Sequence, residues 1–192
     1  MTLVPSTFEL QIGASAPDFQ LLNTKNQIIT RDHFKNHPLL VIFLSNHCPY
    51  VKHIAPQLSS VVKVYQNKGI KVVAINSNDI EKYPDDSPAK MKEEVEIQKY
   101  SFSYLFDESQ DIAKAYKAAC TPDFFLFDKN FKLYYMGQFD DSRPGNNIPV
   151  TGKDLVAAMN SLLRNETPPI NSKPATGCNI KWQAGNNPPW FG

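Results

Sequence analysis

Apolar residues along the chain occur in short runs and stripes whose spacing alternates between that of strands and that of helices. Leu39–Ser45 is a continuous apolar run with β-branched and aromatic members, and Lys71–Asn76 is a second run of this kind. Such runs are typical of strands buried on both faces. A stripe at helical spacing lies between them, consisting of Val51, Ile54, Ala55, Leu58, Val62 and Tyr65. The pattern predicts a strand, an amphipathic helix that ends near Gly69, and a second strand.

The remaining elements continue this alternation. Strands are predicted at Phe19–Leu22 and Ile28–Thr30 as a hairpin, at Tyr104–Phe106, and at Asp123–Asp128 and Lys132–Phe139 as a second hairpin; helices are predicted from Pro88 to about Tyr100, at Asp111–Lys117, and after a capping box Thr151-x-x-Asp154. Strands that alternate with helices imply a parallel core, and the closing hairpin adds an antiparallel edge. We therefore predict an α/β fold with a central mixed sheet flanked by helices and an N-terminal β-hairpin extension.

The composition changes after residue 166. The 26 residues from Thr167 to Gly192 contain five prolines and three glycines, which predicts an irregular tail. This tail also contains Cys178, Ile180, Trp182, Trp190 and Phe191. We interpret residues 1–166 as one domain and residues 167–192 as a C-terminal extension that packs on it.

Charge and cysteine content narrow the class of function. The chain has 20 Lys and Arg residues and 19 Asp and Glu residues, so its net charge is +1. This near-balance argues against nucleic acid or a membrane surface as the main partner. The apolar runs are far shorter than the ~20 residues that span a bilayer. Met1–Leu10 has no basic segment of the secretory kind, so we expect a cytoplasmic protein. Three cysteines in such a chain indicate free thiols, one of which can be reactive.

The candidate chemistry lies where the first buried strand meets the amphipathic helix. Cys48 falls at the predicted N-cap and Pro49 at the first helical position. Unpaired amides and the helix dipole favour an anion there, so the pKa of Cys48 is expected to be depressed and its thiolate to be nucleophilic. Lys52 strengthens this effect if it points back toward the sulfur. The alternative is a buried structural cysteine.

Polar residues around Cys48 allow further interpretations. His47 and His53 flank the cysteine, and a Cys/His group can bind copper or zinc. The more common roles are pKa tuning by His47 and an ordinary helical position for His53. Tyr50 follows the cysteine and can gate it. The pairs Asp85-Asp86 and Asp140-Asp141 lie in Pro-containing turns, where capping or solvated roles are expected.

Several motifs carry a resemblance to one protein family. Cys48–Pro56 resembles the active-site helix of thioredoxin-like proteins, with Val51 in place of the second cysteine. Thr121-Pro122, directly before a strand, is similar to that family's Thr-Pro element, whose proline is cis and faces the active cysteine. Gly13–Phe19 looks like the opening of peroxiredoxins. Further matching motifs are Asn46–His53, Asn76–Asp79, Asp140–Pro144 and Gly177–Trp182.

Together these motifs resemble the redoxin branch of the thioredoxin-like superfamily, the alkyl hydroperoxide reductase/thiol-specific antioxidant proteins. The likeness runs from about Ile12 to Lys181, and it is to a peroxiredoxin-like subgroup with a single active-site cysteine in place of Cys-x-x-Cys. It implies a thioredoxin-like fold and no cofactor. Val41 occupies the position of a proline found in true peroxiredoxins, and Arg143 is a candidate for the arginine that stabilises peroxide.

The resemblance also implies an activity. We expect a thiol-dependent oxidoreductase with antioxidant, peroxiredoxin-like or disulfide-exchange activity, in which the Cys48 thiolate attacks a peroxide or a disulfide and an external thiol serves as reductant. Thr121 and Pro122 are expected to shape the substrate groove. The family often dimerises, so a homodimer is possible. The missing second cysteine motivates the alternative of a non-catalytic binding module or a copper carrier.

The source of a second sulfur stays open at this stage. Cys120 precedes the Thr-Pro element, but neighbouring residues of an extended segment point to opposite faces, so Cys120 faces away if Thr121 faces Cys48. Cys178 lies in the tail, which can fold back across the site. We rank Cys178 slightly above Cys120 as the resolving cysteine, with neither as the third possibility.

Overall fold

The computed structural model describes residues 3–191, which form two β-sheets and four α-helices. The strands are β1 (Leu3–Pro5), β2 (Gln20–Asn23), β3 (Ile28–Thr30), β4 (Leu39–Phe43), β5 (Lys71–Asn76), β6 (Ser103–Phe106), β7 (Cys120–Thr121), β8 (Asp123–Phe127), β9 (Leu133–Gly137) and β10 (Thr176–Asn179). The helices are α1 (Pro49–Asn67), α2 (Pro88–Gln98), α3 (Asp111–Ala115) and α4 (Lys153–Leu163). Within residues 3–191, none of these helices has the length and apolar character to cross a membrane.

The main sheet has seven strands in the order β3-β2-β6-β5-β4-β8-β9. Its centre is parallel, because β4 pairs with β5 and β5 with β6 in that sense. Both edges are antiparallel, formed by the hairpins β2–β3 and β8–β9. The mixed sheet expected from the sequence is therefore confirmed, and α1 begins shortly after the end of the interior strand β4.

Strand β4 is buried on both faces, as its continuous apolar run predicts. Leu40 and Ile42 pack with α1 and α4 in one hydrophobic cluster. Leu39, Val41 and Phe43 pack in a second cluster with Tyr116, on the other face. This alternation follows from the two-residue period of a strand. It places helices on both sides of the sheet, so that α1 is held against the core along its length.

A second sheet, which the sequence pattern did not indicate, is formed by strands from three distant parts of the chain. Its order is β1-β10-β7, and both pairings are antiparallel. The C-terminal extension is therefore not wholly irregular, since it contributes β10. Ala175, Cys178, Ile180 and Trp182 of this extension are buried. Because β10 has the sequence Thr-Gly-Cys-Asn, which lacks strand-forming periodicity, its structure depends on pairing with distant segments.

The predicted capping box before α4 is wrong. The N-cap of α4 is Gly152, which has a φ of +70°, and the Thr151 hydroxyl accepts only the N–H of Lys153, at 3.3 Å. The Asp140 carboxylate instead accepts the backbone N–H groups of Thr151 and Gly152, each at 2.6 Å. A buried side chain from the preceding loop therefore replaces the local cap, which the spacing of residues near the helix cannot reveal.

Candidate active site

Cys48 lies at the N-cap of α1, directly after the polar turn that follows β4, and Pro49 occupies the first helical turn. The side chain is 1% exposed. Its Sγ lies 3.2 Å from the Thr121 carbonyl oxygen, to which Cys48 donates when it is protonated. The Thr121–Pro122 peptide bond is cis. The sulfur also receives hydrogen bonding from the backbone N–H of Val51, in the first turn of the helix. The cysteine is therefore buried, but it faces the amides that begin α1.

A second sulfur reaches Cys48 from the C-terminal extension. In the pairing of β10 with β7, Cys178 lies opposite Thr121. The Cys178 thiol hydrogen-bonds to the sulfur of Cys48. The preceding Gly177 allows this approach, because an added Cβ there would lie 2.0 Å from the Thr121 carbonyl oxygen. The two thiols are thus neighbours although they are far apart in the sequence.

The two sulfurs differ in their affinity for a proton. The hydrogen bond from Cys178 lowers the pKa of Cys48 from 9.0 to about 6, aided by the Thr121 side chain and the Val51 N–H and opposed by burial. The same hydrogen bond, together with burial and the charge of Cys48, raises the pKa of Cys178. At neutral pH the pair therefore consists of a Cys48 thiolate and a Cys178 thiol.

This division of charge can be measured by titrating Cys48. We expect the rate of thiol alkylation to follow an apparent pKa of about 6 in the wild type. In Cys178→Ala the pKa of Cys48 should rise well above about 6, because its strongest hydrogen bond is lost while burial continues to oppose the thiolate. Cys120→Ala is the matched control and should leave the titration unchanged. Equal pKa values in the wild type and Cys178→Ala would contradict the assigned role of the Cys178 hydrogen bond.

Cys120 belongs to a different buried group. Its Sγ lies 4.0 Å from the Ser6 hydroxyl and 3.7 Å from the Pro122 carbonyl oxygen. Ser6 also donates to the Asp123 carboxylate at 2.6 Å, and burial raises the pKa of Asp123 to about 7. Burial likewise raises the pKa of Cys120 well above its ordinary value. Cys120 is therefore a buried, protonated thiol in a polar group separate from the Cys48/Cys178 pair.

Asp86 is the centre of the polar network beside Cys48. Its carboxylate is fully buried and accepts hydrogen bonds from His47 Nδ1, Asn78 Nδ2 and the Asn46 backbone N–H, each at 2.6 Å. The Ser45 hydroxyl donates to it at 3.1 Å. Burial alone raises the pKa of Asp86, but these donors hold it below 3.8. The carboxylate is therefore ionised and fixes the turn between β4 and α1.

The expectation of a capping or solvated turn role is wrong for Asp86, although its neighbour Asp85 is exposed. The turn at Pro84–Asp86 folds inward against the loop after β4, so that one carboxylate of the pair enters the core. A pair of adjacent aspartates in the sequence carries no signal that distinguishes the buried member from the exposed one.

His47 is held rigidly next to the cysteine. Its Nδ1 is 2.6 Å from the Asp86 carboxylate, and its ring stacks on Tyr83 with 4.9 Å between centroids and 11° between planes. Among residues 3–191, no hydrogen-bond partner meets its buried Nε2. If Nδ1 carries the proton in its contact with Asp86, Nε2 keeps a lone pair that accepts no hydrogen bond from the described residues.

A small surface cavity adjoins the cis peptide. Tyr50, Pro122, Phe139 and Arg143 are among its lining residues. The Arg143 guanidinium donates to Gln138 Oε1 at 2.5 Å and to two backbone carbonyl oxygens, so three of its five N–H donors hold the loop after β9. Tyr50 and Pro122 thus line this cavity, whereas Cys48 and Cys178 are not among its lining residues.

Lys52 and His53, which the sequence also suggested as part of the site, lie outside the immediate surroundings of Cys48 and Cys178. Lys52 is exposed and lines a separate depression with Asp85, so it does not belong to the buried group around Cys48. His53 instead bonds to the Ser142 hydroxyl at 2.7 Å. In the part of the chain that the structure describes, no cluster of three or more His, Cys, Asp or Glu residues is placed to hold a metal ion.

The sheet order, the helix-start cysteine and the cis Thr-Pro element define a thioredoxin-like fold. A secreted disulfide oxidoreductase of Mycobacterium tuberculosis shares it, with 17% identity, a TM-score of 0.59, and coverage of 75% of this chain and 96% of that chain. The AhpC/TSA family model matches residues 12–136, so the chain belongs to the AhpC/TSA family.

Other similar proteins cover more of the chain or carry a functional name. An uncharacterized conserved protein from Geobacillus kaustophilus is 46% identical, with a TM-score of 0.92 and coverage of 95% of this chain and 97% of that one. A hypothetical protein from Sinorhizobium meliloti is also 46% identical, with a TM-score of 0.90 and coverage of 92% and 97%. Thiol-disulfide oxidoreductase ResA of Bacillus thuringiensis is 23% identical over 125 residues, covering 65% of this chain and 68% of ResA.

Proposed function

We propose that this protein is a thiol-dependent oxidoreductase that alternates between a reduced Cys48/Cys178 pair and a Cys48–Cys178 disulfide. The observation that carries the proposal is the contact between a Cys48 thiolate and a protonated Cys178 thiol, since one is ready to attack and the other to resolve. Membership of the AhpC/TSA family and the similarity to a thiol-disulfide oxidoreductase support a redox role of this kind.

In the proposed cycle, the Cys48 thiolate attacks one sulfur of a substrate disulfide. The substrate S–S bond breaks, one substrate thiolate leaves, and a mixed disulfide remains on Cys48. Cys178 then loses its proton, attacks the Sγ of Cys48 and expels the second substrate thiolate. The substrate has gained two electrons, and the protein holds an intramolecular disulfide. An external thiol reduces this disulfide and completes the cycle.

Peroxide is the second candidate substrate, and the burial of Cys48 favours it. Cys48 is only 1% exposed and lies beneath Thr121 and β10. A small oxidant therefore reaches its sulfur more readily than a protein disulfide does. Attack on a peroxide oxygen would leave a sulfenic acid and release water or an alcohol, and Cys178 would then form the disulfide and release a second water. Arg143 donates a hydrogen bond to Gln138, which argues against a role of Arg143 in stabilising peroxide. This observation favours disulfide exchange.

The test is to oxidise the protein mildly and to map the product by mass spectrometry. Both oxidised glutathione and hydrogen peroxide are used, and their rates decide between the two substrates. We expect a loss of two hydrogens and a cross-linked peptide pair containing Cys48 and Cys178. Cys48→Ser and Cys178→Ser should abolish the cross-link, while Cys120→Ser should keep it.

Two outcomes would reject this function. The first is an unchanged mass with either oxidant, or a cross-link that does not involve Cys48. The second is copper that stays bound to the purified protein and is lost in Cys48→Ser, which would favour the carrier alternative.

A further inference from the structure

The C-terminal extension and the N-terminal segment together line a cavity of about 350 Å³. Three aromatic residues of the extension, Trp182, Trp190 and Phe191, belong to its lining, and most of the other lining residues come from the N-terminal segment. The two cysteines of the proposed redox pair are not among the lining residues, so this cavity is separate from them. Its volume falls within the range of ~300–1,000 Å³ that is typical of sites for small molecules.

Two hydrogen-bond donors at this cavity lack a partner in the protein. Trp182 is only 7% exposed and Trp190 is half-buried, and the Nε1 atoms of both side chains are shielded from solvent. Among residues 3–191, neither Nε1 has a hydrogen-bond acceptor. Buried N–H groups without an acceptor are rare, because each has lost its hydration with nothing in return. Since both side chains line the cavity, an acceptor bound there can satisfy them.

The polar side chains of the lining are engaged with the protein itself. The Ser6 hydroxyl donates to the Asp123 carboxylate at 2.6 Å, and the Thr7 hydroxyl donates to the Lys117 carbonyl oxygen at 2.8 Å. The Glu9 carboxylate lies 3.8 Å from the Lys117 ammonium. The uncommitted donors at the cavity are therefore the indole N–H groups, and an indole can donate but not accept. A ligand of this site must supply an acceptor.

The charges and rings at the cavity define the rest of the ligand. Lys117 Nζ lies 4.1 Å from the centre of the Trp190 ring and is paired with Glu9, which also lines the cavity. A bound anion would meet the Glu9 carboxylate, and a cation would leave the indole donors without an acceptor. A neutral ligand avoids both costs. The three aromatic side chains favour a planar aromatic body, because aromatic rings pack well against one another.

We infer that this cavity is a binding site for a small, neutral aromatic molecule with a carbonyl oxygen, of the aryl ketone class, whose oxygen accepts hydrogen bonds from the indole N–H groups of Trp182 and Trp190. A carbonyl oxygen suits the site because it has two lone pairs and no donor of its own. The site goes beyond the proposed redox function and does not depend on it, since the cavity, its donors and its charges lie outside the sulfur pair.

The experiment uses the indole N–H groups themselves as the reporter. The chain contains two tryptophans, so an isotope-labelled sample of the full chain gives two indole N–H signals in its NMR spectrum. Acetophenone and ethylbenzene are titrated separately, because they have a similar shape and only acetophenone carries an acceptor. We expect acetophenone to shift both indole signals. It should also bind roughly three- to tenfold more tightly than ethylbenzene, which is the effect of one net hydrogen bond.

Substitution of each tryptophan assigns its signal and removes its donor. Trp182→Phe and Trp190→Phe keep an aromatic ring in the lining, so the binding of ethylbenzene should change less than the binding of acetophenone. The preference for acetophenone over ethylbenzene should therefore shrink in both variants. Tyr100→Phe is the matched control, because it removes another buried and unpartnered donor from a residue that does not line this cavity. It should leave the affinities for both probes unchanged.

Three results would overturn the inference. The first is that neither indole signal of the wild type shifts up to the solubility limit of acetophenone. The second is that acetophenone and ethylbenzene bind equally well, which would leave the indole N–H groups without a role in binding. The third is that both tryptophan variants keep the full preference for acetophenone. If Trp182→Phe does not fold, the wild-type comparison and Trp190→Phe, at the less buried position, decide by the same criteria. None of these results bears on the Cys48–Cys178 cross-link.

Discussion

Gly177→Ala is expected to separate the sulfurs of Cys48 and Cys178 and to destabilise the fold. The added Cβ would lie 2.0 Å from the carbonyl oxygen and 2.7 Å from the carbonyl carbon of Thr121. Both atoms belong to the backbone, so a side-chain rotation cannot relieve the overlap, and β10 must move away from β7. We expect a loss of about 3 kcal/mol in the free energy of unfolding, at the upper end for an overpacked site. For a chain of this size that is a fall of roughly 6–12 °C in Tm.

The displacement also has a chemical readout. With Cys178 withdrawn, the pKa of Cys48 should rise from about 6, and the yield of the Cys48–Cys178 cross-link should fall. Gly185→Ala is the control in the same extension, since its added Cβ meets no atom within 4 Å and the cost comes only from a φ of +77°. That strain amounts to about 1–2 kcal/mol and should leave the titration of Cys48 unchanged. An unaltered titration in Gly177→Ala would show that β10 does not depend on this close approach.

Asp86→Ala should be the most destabilising change in the polar network. It leaves His47 Nδ1, Asn78 Nδ2 and the Asn46 N–H without their buried acceptor. Loss of one partner from a buried charged group costs about 3–5 kcal/mol. Asp85→Ala removes the exposed neighbour and keeps the carbonyl that accepts from Asn46, so it should cost less than about 0.5 kcal/mol. Urea unfolding near neutral pH measures both values, and equal losses would refute the central position of Asp86.

The same carboxylate predicts a pH dependence. Since the pKa of Asp86 in the folded protein lies below the 3.8 of the unfolded chain, its ionisation stabilises the fold fully above pH 3.8. This stabilisation is lost as the pH falls from there through the lower folded-state pKa. Asp86→Ala should therefore show a weaker loss of stability on acidification than the wild type. Unfolding curves taken across this acidic range compare the two slopes.

The sequence predicted the main sheet well because its signals are local. The run Lys71–Asn76 coincides with β5, and the helical stripe from Val51 to Tyr65 lies within α1. Each of these patterns reports burial of the element's own residues, which the hydrophobic period encodes. The end of β4 shows the limit of this signal. The apolar run predicted a strand as far as Ser45, whereas β4 ends at Phe43. Beyond that point the backbone turns toward Asp86, a contact that no local period contains.

The candidate site was only partly predictable for a related reason. The helix-start position of Cys48 follows from one strand and one helix. The neighbourhood of Cys178 depends on the register of β10 against β7, two short segments with no strand pattern of their own. The location of Asp86 likewise depends on how a distant turn folds inward. Long-range strand pairing and buried polar groups depend on the tertiary structure. A single sequence can therefore identify candidate residues but does not predict their positions in the fold.

The position of the second sulfur on β10 links redox state to the stability of the whole chain. In a Cys-x-x-Cys arrangement a disulfide closes a ring of a few residues and restricts the unfolded chain little, by roughly 2 kcal/mol in a chain-entropy model. A bond between Cys48 and Cys178 would instead enclose most of the polypeptide, including β5 and β8, the two strands that pair with β4, and the same model gives roughly 5 kcal/mol. The thermodynamic cycle of folding and oxidation then requires that the disulfide be more stable in the folded chain than in the unfolded chain by the same amount, so that unfolding would make the bond easier to reduce.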